Sequence, residues 1–258
     1  MVPLRTIRVT RYVTPLREGG SLPAVVEADD DGLYVLKFRG AGHGALALIA
    51  ELVSGEIARA LGLPVPELVL AELDPDLART EPDPEIHALI HDSAGLNLAL
   101  DYLPGSVTYD PVVQKTPADL ASRIVWFDAY VTNVDRTVRN TNMLVWHRRL
   151  WLIDHGSSLY FHHSPGWQTD TGRARAAFPA IRDHVLLKAA TLLEQVDDGM
   201  AAALTGEVLG GVVALVPGEW LSDRSAVDPA AARAAYRNYL LERLMPPRCF
   251  VEEALRVR

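Results

Sequence analysis

The N-terminal part of the chain carries short apolar stretches that are separated by polar and glycine-containing turns. This pattern predicts strands at residues 6–13, 24–27, 33–38, 65–73, 86–91 and 96–102. A single helical pattern runs over residues 45–61 and ends at Gly62, since glycine favours the end of a helix. We therefore predict an antiparallel sheet accompanied by one helix.

The C-terminal part has a different pattern, in which apolar residues recur at helical spacing. Helices are predicted at residues 118–131, 181–193 and 229–244, and a hairpin of two short strands at 143–146 and 150–153. Pro104 and Gly105 interrupt the chain between the two patterns. We expect an α+β fold of two lobes, residues 1–104 and residues 105–258.

Composition narrows the class of protein. The chain has 258 residues, of which 49% are hydrophobic and 22% charged, as is ordinary for a folded protein. No apolar run reaches the roughly 18 residues of a membrane span, so we expect no membrane partner. Cys249 is the single cysteine, and the N-terminus does not resemble a secretory signal. These features favour a cytoplasmic protein.

The net charge of −8 makes nucleic acid an unfavoured partner, because proteins that bind it normally carry a basic face. A local basic patch is nevertheless conceivable, since four arginines lie close together in the sequence: Arg136, Arg139, Arg148 and Arg149.

A group of polar residues surrounds the predicted hairpin: Asn133, Asp135, Asn140, Asn142 and Asp154. A hairpin of this size brings Asp135 and Asp154 to the same edge. Phosphoryl transfer needs a carboxylate near the attacking hydroxyl and oxygen ligands for Mg²⁺, which prefers carboxylates and other hard donors. The pattern therefore indicates a phosphotransfer centre.

Two segments carry a resemblance to a known family: Asn133-Val-Asp-Arg-Thr-Val-Arg-Asn-Thr-Asn142, and Leu152-Ile-Asp-His-Gly156. They resemble the HipA-like kinases, and the catalytic loop is also similar to that of phosphoinositide kinases. The resemblance implies a two-lobed protein-kinase-like fold, with a nucleotide-binding N-lobe at 1–104 and a C-lobe at 105–258 that holds the catalytic loop and the metal motif. It implies transfer of the γ-phosphate of ATP, with Mg²⁺, to a hydroxyl, most simply on a protein serine or threonine.

The resemblance also implies roles for single residues. Asp135 would orient or deprotonate the acceptor hydroxyl, and Asp154 would bind Mg²⁺. Lys37 would contact the α- and β-phosphates. Glu51 would hold Lys37 in place, with Glu56 on the same predicted helix as the alternative.

Further cofactor contacts are implied with alternatives left open. Asp101 and Tyr102 resemble the hinge that meets adenine. Gly19, Gly20 and Ser21 lie where the phosphate-covering loop belongs, but the glycine-rich residues 40–44 are a second candidate. The metal-binding asparagine is either Asn140, by its spacing from the aspartate, or Asn142, by the apolar residues that follow it.

The sequence departs from the family pattern in two places. Thr137 stands where a histidine often follows the Asp-Arg pair, and His155 replaces the aromatic residue of the Asp-Phe-Gly motif. Two other functions remain open, a small-molecule kinase on the same fold and a non-catalytic nucleotide-binding pseudokinase or partner protein. The presence of an intact set favours a catalyst over the latter: Lys37, Asp135, Asn140 or Asn142, and Asp154.

Overall fold

The computed structural model describes residues 3–16, 22–222 and 228–258. The first strands are β1 Thr6–Pro15, β2 Ala24–Ala28, β3 Leu33–Lys37, β4 Leu68–Leu73 and β5 Gly95–Asp101. They close into a barrel in the order β1-β2-β3-β5-β4. The sequence thus predicted a strand at the position of each of these five.

The predicted all-antiparallel sheet is wrong at one contact, because the barrel closes through a parallel pair. Residues 6–8 of β1 run parallel to residues 70–72 of β4, whereas the rest of β1 pairs antiparallel with β2. The register of β1 shifts between Val9 and Arg11. Such an irregularity bends a strand, so one long strand can reach two partners. Alternation along the sequence shows which face is buried, not which strand is the neighbour.

Helices accompany the barrel at two places instead of one. Helix α1 spans Ala45–Ala60, and α2 spans Pro84–Asp92 after a 3₁₀ turn at Pro75–Thr80. The strand predicted at 86–91 is therefore wrong. The Asp83 side chain accepts a hydrogen bond from the amide of Glu85, and Pro84 is the first helical residue, which together start a helix.

The remaining elements follow the barrel in chain order. They are β6 Val107–Thr108, α3 Ala118–Tyr130, β7 Met143–Trp146, β8 Arg149–Leu152, α4 Thr171–Ala174, α5 Leu193–Ala203, α6 Gly206–Ala214, α7 Gly218–Ser222, α8 Pro229–Leu244 and α9 Cys249–Val257. Strands β6, β7 and β8 form a small sheet in that order, which confirms the predicted hairpin. None of the helices in the described part of the chain is long and apolar enough to cross a membrane.

The helix predicted at 181–193 is wrong. This segment contains short 3₁₀ turns at Pro179–Asp183 and Leu187–Ala189, and α5 begins only at Leu193. The backbone between the turns is engaged elsewhere: His184 forms a bridge with Thr137, and the amide of Val185 donates to the carbonyl of Arg136. Backbone groups that pair with another segment cannot also form the hydrogen bonds of a continuous helix.

Helix α1 connects the barrel to the helical part of the chain. Leu52, Val53 and Ile57 are fully buried, and they belong to a hydrophobic core that also contains α3, α6 and α9. The barrel interior has a separate core around Val26, Leu36 and others. Each fully buried aliphatic side chain contributes about 1.5–3 kcal/mol, so α1 is held firmly. A charged residue on α1 is thereby carried into the interior at a defined place.

Candidate active site

A cleft of about 850 Å³ lies between the barrel and the β7–β8 hairpin. Its lining includes Lys37 from the end of β3, Asp101 from the end of β5, and the polar residues Asn140, Asn142 and Asp154 beside the hairpin. The structure thus brings most of the sequence-predicted site residues to one concave surface.

Lys37 lies between two carboxylates at the back of this cleft. Its Nζ is 2.6 Å from Oδ1 of Asp154 and 3.5 Å from Oε2 of Glu51. Burial opposes the charged form of Lys37, but the two carboxylates outweigh it and raise the lysine pKa. We call Lys37, Glu51, Asp154 and His155 the cleft cluster.

Glu51, not Glu56, is the glutamate that meets Lys37. Glu51 is almost fully buried, and although burial favours its neutral form, Lys37 and then His155 hold its pKa at about 2. Glu56 lies one to two turns further along α1, where it forms an ion pair with Arg59 at 3.2 Å. The choice left open by the sequence is decided by the direction in which each side chain leaves the helix.

His155 has a polar contact that its position in the motif did not indicate. Its ring is completely buried, and Nδ1 lies 3.4 Å from Oε1 of Glu51. The ring also packs edge-on against Phe127, with 5.7 Å between the centroids. The histidine therefore occupies the place of an aromatic residue while donating a hydrogen bond to the buried glutamate.

Asp135 is oriented by two amide side chains. Nδ2 of Asn140 donates to its Oδ2 at 2.8 Å, and Nδ2 of Asn142 donates to the same oxygen at 3.1 Å. The other oxygen, Oδ1, has no hydrogen-bond partner among the described residues. Partial burial, together with the nearby charge of Asp154, raises the pKa of the Asp135 carboxyl, whereas the Asn142 amide works in the opposite direction. The carboxylate is thus held in place but keeps one free acceptor.

The donor set near Asp154 fits a hard divalent cation. The amide oxygens of Asn140 and Asn142 and Oδ2 of Asp154 have no protein partner among the described residues, and oxygen donors of this kind suit Mg²⁺. The amide of Ile153 donates to the carbonyl of Asn142 at 3.0 Å. Because Asp154 directly follows Ile153 in the chain, Asn142 lies close to Asp154. Asn142 and Asp154 both have positive φ, of 47° and 56°. Such unusual backbone angles are concentrated at functional sites.

The predicted hinge residues lie at the cleft, and a neighbour joins them. The amide of Asp101 donates to the carbonyl of Glu67, and the amide of Tyr102 donates to the carbonyl of Leu33. The amide of Leu103, which also lines the cleft, has no protein partner among the described residues. The residue types along the chain could not reveal which backbone donors lack a protein partner at the cleft.

The two glycine-rich candidates differ in position. Gly19, Gly20 and Ser21 lie outside the described residues, but Pro15, Leu16 and Pro23 on either side of them line the cleft. Residues 40–44 are not among the residues that line it; the amide of Gly40 instead donates to the side chain of Ser93. The surroundings therefore favour the first segment.

The sequence of this chain matches a known family of proteins. The sequence model that describes the HipA-like kinases matches residues 9–248. The chain belongs to the HipA-like kinase family. This HipA-like kinase is accordingly a phosphotransferase. None of the curated proteins matches its sequence closely enough to count as a relative.

Two of the solved structures to which this HipA-like kinase is similar are described as kinases. The proinflammatory kinase CtkA of Helicobacter pylori has a TM-score of 0.53 and 12% identity, covering 99% of this chain and 98% of that chain. The Golgi casein kinase with Mn/ADP bound has a TM-score of 0.49 and 13% identity, covering 96% of this chain and 75% of that chain. At such low identity the likeness to CtkA shows the fold alone, which is kinase-like.

Proposed function

We propose that this kinase transfers the γ-phosphate of ATP, in the presence of Mg²⁺, to the hydroxyl of a serine or threonine in a protein. The observation that carries the proposal is the contact of Lys37 with Asp154 at the cleft, although the two residues lie 117 positions apart. Asp135 joins them through its hydrogen bonds to Asn140 and Asn142, both of which line the cleft. A lysine for phosphates and two separate carboxylates are the groups that phosphoryl transfer requires.

On the nucleotide side, Lys37 binds phosphate oxygens while Glu51 keeps its ammonium group in place. The ammonium already lies between two carboxylates, so its position does not depend on the nucleotide. Adenine is recognised by backbone groups at 101–103, with the amide of Leu103 as donor. We assign the role of covering the phosphates to the segment with Gly19, Gly20 and Ser21, because the described residues Pro15, Leu16 and Pro23 line the cleft. In this arrangement residues 1–104 form the nucleotide-binding lobe and residues 105–258 the lobe of the catalytic loop.

On the acceptor side, Asp135 takes the hydrogen bond of the attacking hydroxyl at its free Oδ1. The two amides on Oδ2 keep the carboxylate from rotating away, and its raised pKa makes it a better proton acceptor than an ordinary aspartate. Asp154 and an asparagine would hold Mg²⁺, which when bound would supply positive charge to the phosphates.

A protein acceptor is supported by the surface around Asp135. Val134 and Val138 flank it on the catalytic loop, and both side chains are exposed. Exposed apolar side chains beside a reactive group are typical of a surface that another protein covers. Val138 also lines the cleft, whereas Val134 does not, so the apolar surface extends from the cleft over the catalytic loop. A protein chain can cover such a surface more fully than a small molecule can.

The proposal is tested by phosphate transfer from ATP–Mg²⁺ to a library of serine- and threonine-containing peptides, with a panel of small alcohols in parallel. We expect peptide phosphorylation that falls by roughly 10³-fold in Asp135→Asn and Asp154→Asn, with nearly unchanged melting temperatures. A nucleotide-binding protein without catalysis would bind ATP in calorimetry but show no turnover above the Asp154→Asn background. Transfer to alcohols alone would replace the protein acceptor with a small molecule.

A second experiment assigns the metal-binding amide, for which we propose Asn142 because it adjoins Asp154 and is buried. In a Mg²⁺ titration, Asn142→Ala should need a much higher Mg²⁺ concentration for half-maximal activity. Asn140→Ala, the matched control on the other amide, should lower kcat and leave that concentration nearly unchanged. The reverse outcome would assign the metal to Asn140.

A further inference from the structure

A second group of buried polar residues lies behind the catalytic loop, outside the cleft. Its centre is Asp128 on α3, whose carboxylate accepts three hydrogen bonds: from Nε of Arg136 at 2.6 Å, from Nδ2 of Asn133 at 2.8 Å and from Nε2 of His184 at 2.9 Å. We call these four residues the loop cluster. The side chains of Asp128 and Arg136 are wholly inaccessible to solvent.

The proton on His184 is assigned by its surroundings. The amide of Leu186 donates to Nδ1 at 3.0 Å, so Nε2 carries the proton that is donated to Asp128. The histidine therefore needs no charge to make both contacts, and the charge of Asp128 is balanced by Arg136. Although burial opposes ionisation, Arg136 and then His184 hold the pKa of Asp128 well below its usual range.

Arg136 reaches the hairpin with Nη1, a second nitrogen of its guanidinium group. Nη1 makes a close hydrogen bond to the carbonyl of Asn142 and lies 3.5 Å from the carbonyl of Ile153. Asn142 directly precedes β7, and Ile153 directly follows β8, so the two carbonyls lie on opposite sides of the open end of the hairpin. Ile153 directly precedes Asp154. Arg136 itself directly follows Asp135. One guanidinium group thus connects the three segments that carry Asp135, Asn142 and Asp154.

We propose that the Asp128–Arg136 pair positions the catalytic loop by setting the separation between Asp135 and Asp154. Asp128 holds the guanidinium at a fixed place, and the guanidinium holds the loop and both hairpin strands at fixed distances from it. This inference rests on the proposed roles of Asp135 and Asp154. It assigns Asp128, Arg136 and His184 to phosphate transfer, although none of them lines the cleft.

A purely structural role would have a different signature. Apolar side chains of similar volume often stabilise a fold as well as a buried ion pair does, whereas removing one partner is strongly destabilising. Leucine and methionine at these positions would fill the same space but could not hydrogen-bond the carbonyls of Asn142 and Ile153. Stability and positioning can therefore be separated by replacing both members of the pair.

The experiment compares Asp128→Leu, Arg136→Met and the double variant in melting temperature, kcat, the KM for ATP, and nucleotide affinity by calorimetry. Each single variant should lose both melting temperature and kcat. The double variant should regain most of the melting temperature while kcat stays about 10²-fold below wild type, since small misplacements of reacting groups cost rates of that order. Its KM for ATP and its nucleotide affinity should stay within about threefold of wild type.

Arg248→Met is the matched control, since Arg248 pairs with Asp197 at 2.7 Å away from the cleft and should lose stability without losing kcat. Recovery of kcat together with melting temperature in the double variant would overturn the proposal. If the double variant does not regain its melting temperature, Arg136→Lys decides. It keeps the charge but not the forked contacts, so kcat should fall at least about tenfold, and an unchanged kcat would overturn the proposal.

Failure of the positioning role is distinguishable from failure of the proposed function. Wild type and Asp154→Asn are compared in the same assay. Equal background activity in these two proteins would contradict the proposed roles of the cleft residues, whatever the loop-cluster variants do.

Discussion

The cleft cluster and the loop cluster are both built from buried ionic groups, yet they differ in charge balance and in exposure. The cleft cluster has two carboxylates for one ammonium group, and the side chain of Asp154 is 36% exposed. The loop cluster has one carboxylate for one guanidinium group, and neither is exposed at all. The excess negative charge is therefore found where a ligand can enter.

This difference has a physical reason. A buried charge without a partner costs several kcal/mol, so a closed cluster must be balanced to persist. An open cluster can keep an unbalanced carboxylate because solvent stabilises it until a cation arrives. A surplus carboxylate at the edge of a cleft is thus a sign of cation binding, whereas a balanced and sealed pair is a sign of support.

Removing the single cation of the cleft cluster should have the largest effect. In Lys37→Met the buried Glu51 loses its ammonium partner, so the free energy of unfolding should fall by about 3–5 kcal/mol and activity by roughly 10²–10³-fold. Chemical denaturation measures the free energy of unfolding, and peptide phosphorylation measures the activity. The double variant with Glu51→Gln should recover stability but not activity. Full activity in Lys37→Met would mean that the charge balance of this cluster has no bearing on function.

The pH dependence of stability should reveal how much the ionised carboxylate of Glu51 contributes. Its folded-state pKa of about 2 lies below the ordinary value of 4.5, so its contribution to stability is complete above about pH 4.5 and is lost as the pH falls through 2. Wild type should exceed Glu51→Gln by on the order of 3 kcal/mol at neutral pH, and the two should converge toward pH 2. A difference that stays constant with pH would contradict the ionic role of Glu51.

A smaller effect is expected from His155, whose contact with Glu51 is long. His155→Phe restores the aromatic residue of the family motif but removes the hydrogen bond at 3.4 Å, which is worth about 1 kcal/mol or less. Activity should fall by about three- to tenfold, mainly in kcat, as the glutamate loses one anchor. His155→Gln, which keeps a donor, should retain more activity. A greater loss in His155→Gln than in His155→Phe would point to ring packing against Phe127 instead.

The smallest effect is expected from Glu56→Gln. Glu56 lies on the same helix as Glu51 but contacts Arg59 outside the cleft cluster. Activity should stay within about twofold of wild type. Since burial raises the pKa of Glu56, its charged form is disfavoured in the fold, and the neutral variant should keep or slightly gain stability at neutral pH. A strong loss of activity would show that α1 acts through more than Glu51.

Much of the fold follows from local patterns in the chain. Strands β1 to β5, the helices α1, α3 and α8, and the hairpin were all predictable, because alternation and helical spacing are recorded over a few neighbouring residues. Two segments were mispredicted for opposite reasons. At 86–91 the capping residues Asp83 and Pro84 outweigh a short apolar run. At 181–193 the contacts of His184 and Val185 with the catalytic loop displace a local helical preference.

The candidate site shows the same division. The motif around Asp135 and Asp154 could be recognised in the sequence because only a short hairpin separates the two residues. Arg136 was misjudged as part of a surface basic patch, although it is buried. Arg136 directly follows Asp135, but adjacency in the sequence does not show whether the side chain of Arg136 is buried or exposed. Asp128 offered one signal, a lone carboxylate within an apolar helical stretch.

The sequence by itself determined the barrel strands, the hairpin, the helices α1, α3 and α8, and the family, because these depend on residue type and short spacing. Only the tertiary structure decided that Glu51 and not Glu56 meets Lys37, that the barrel closes through a parallel pair, and that Asp128 and Arg136 lie behind the catalytic loop. Lys37 and Asp154 are 117 positions apart, and their contact exists because the end of β3 and the residues after β8 meet at one cleft. Distances of that kind are set by packing between elements, which no local pattern records.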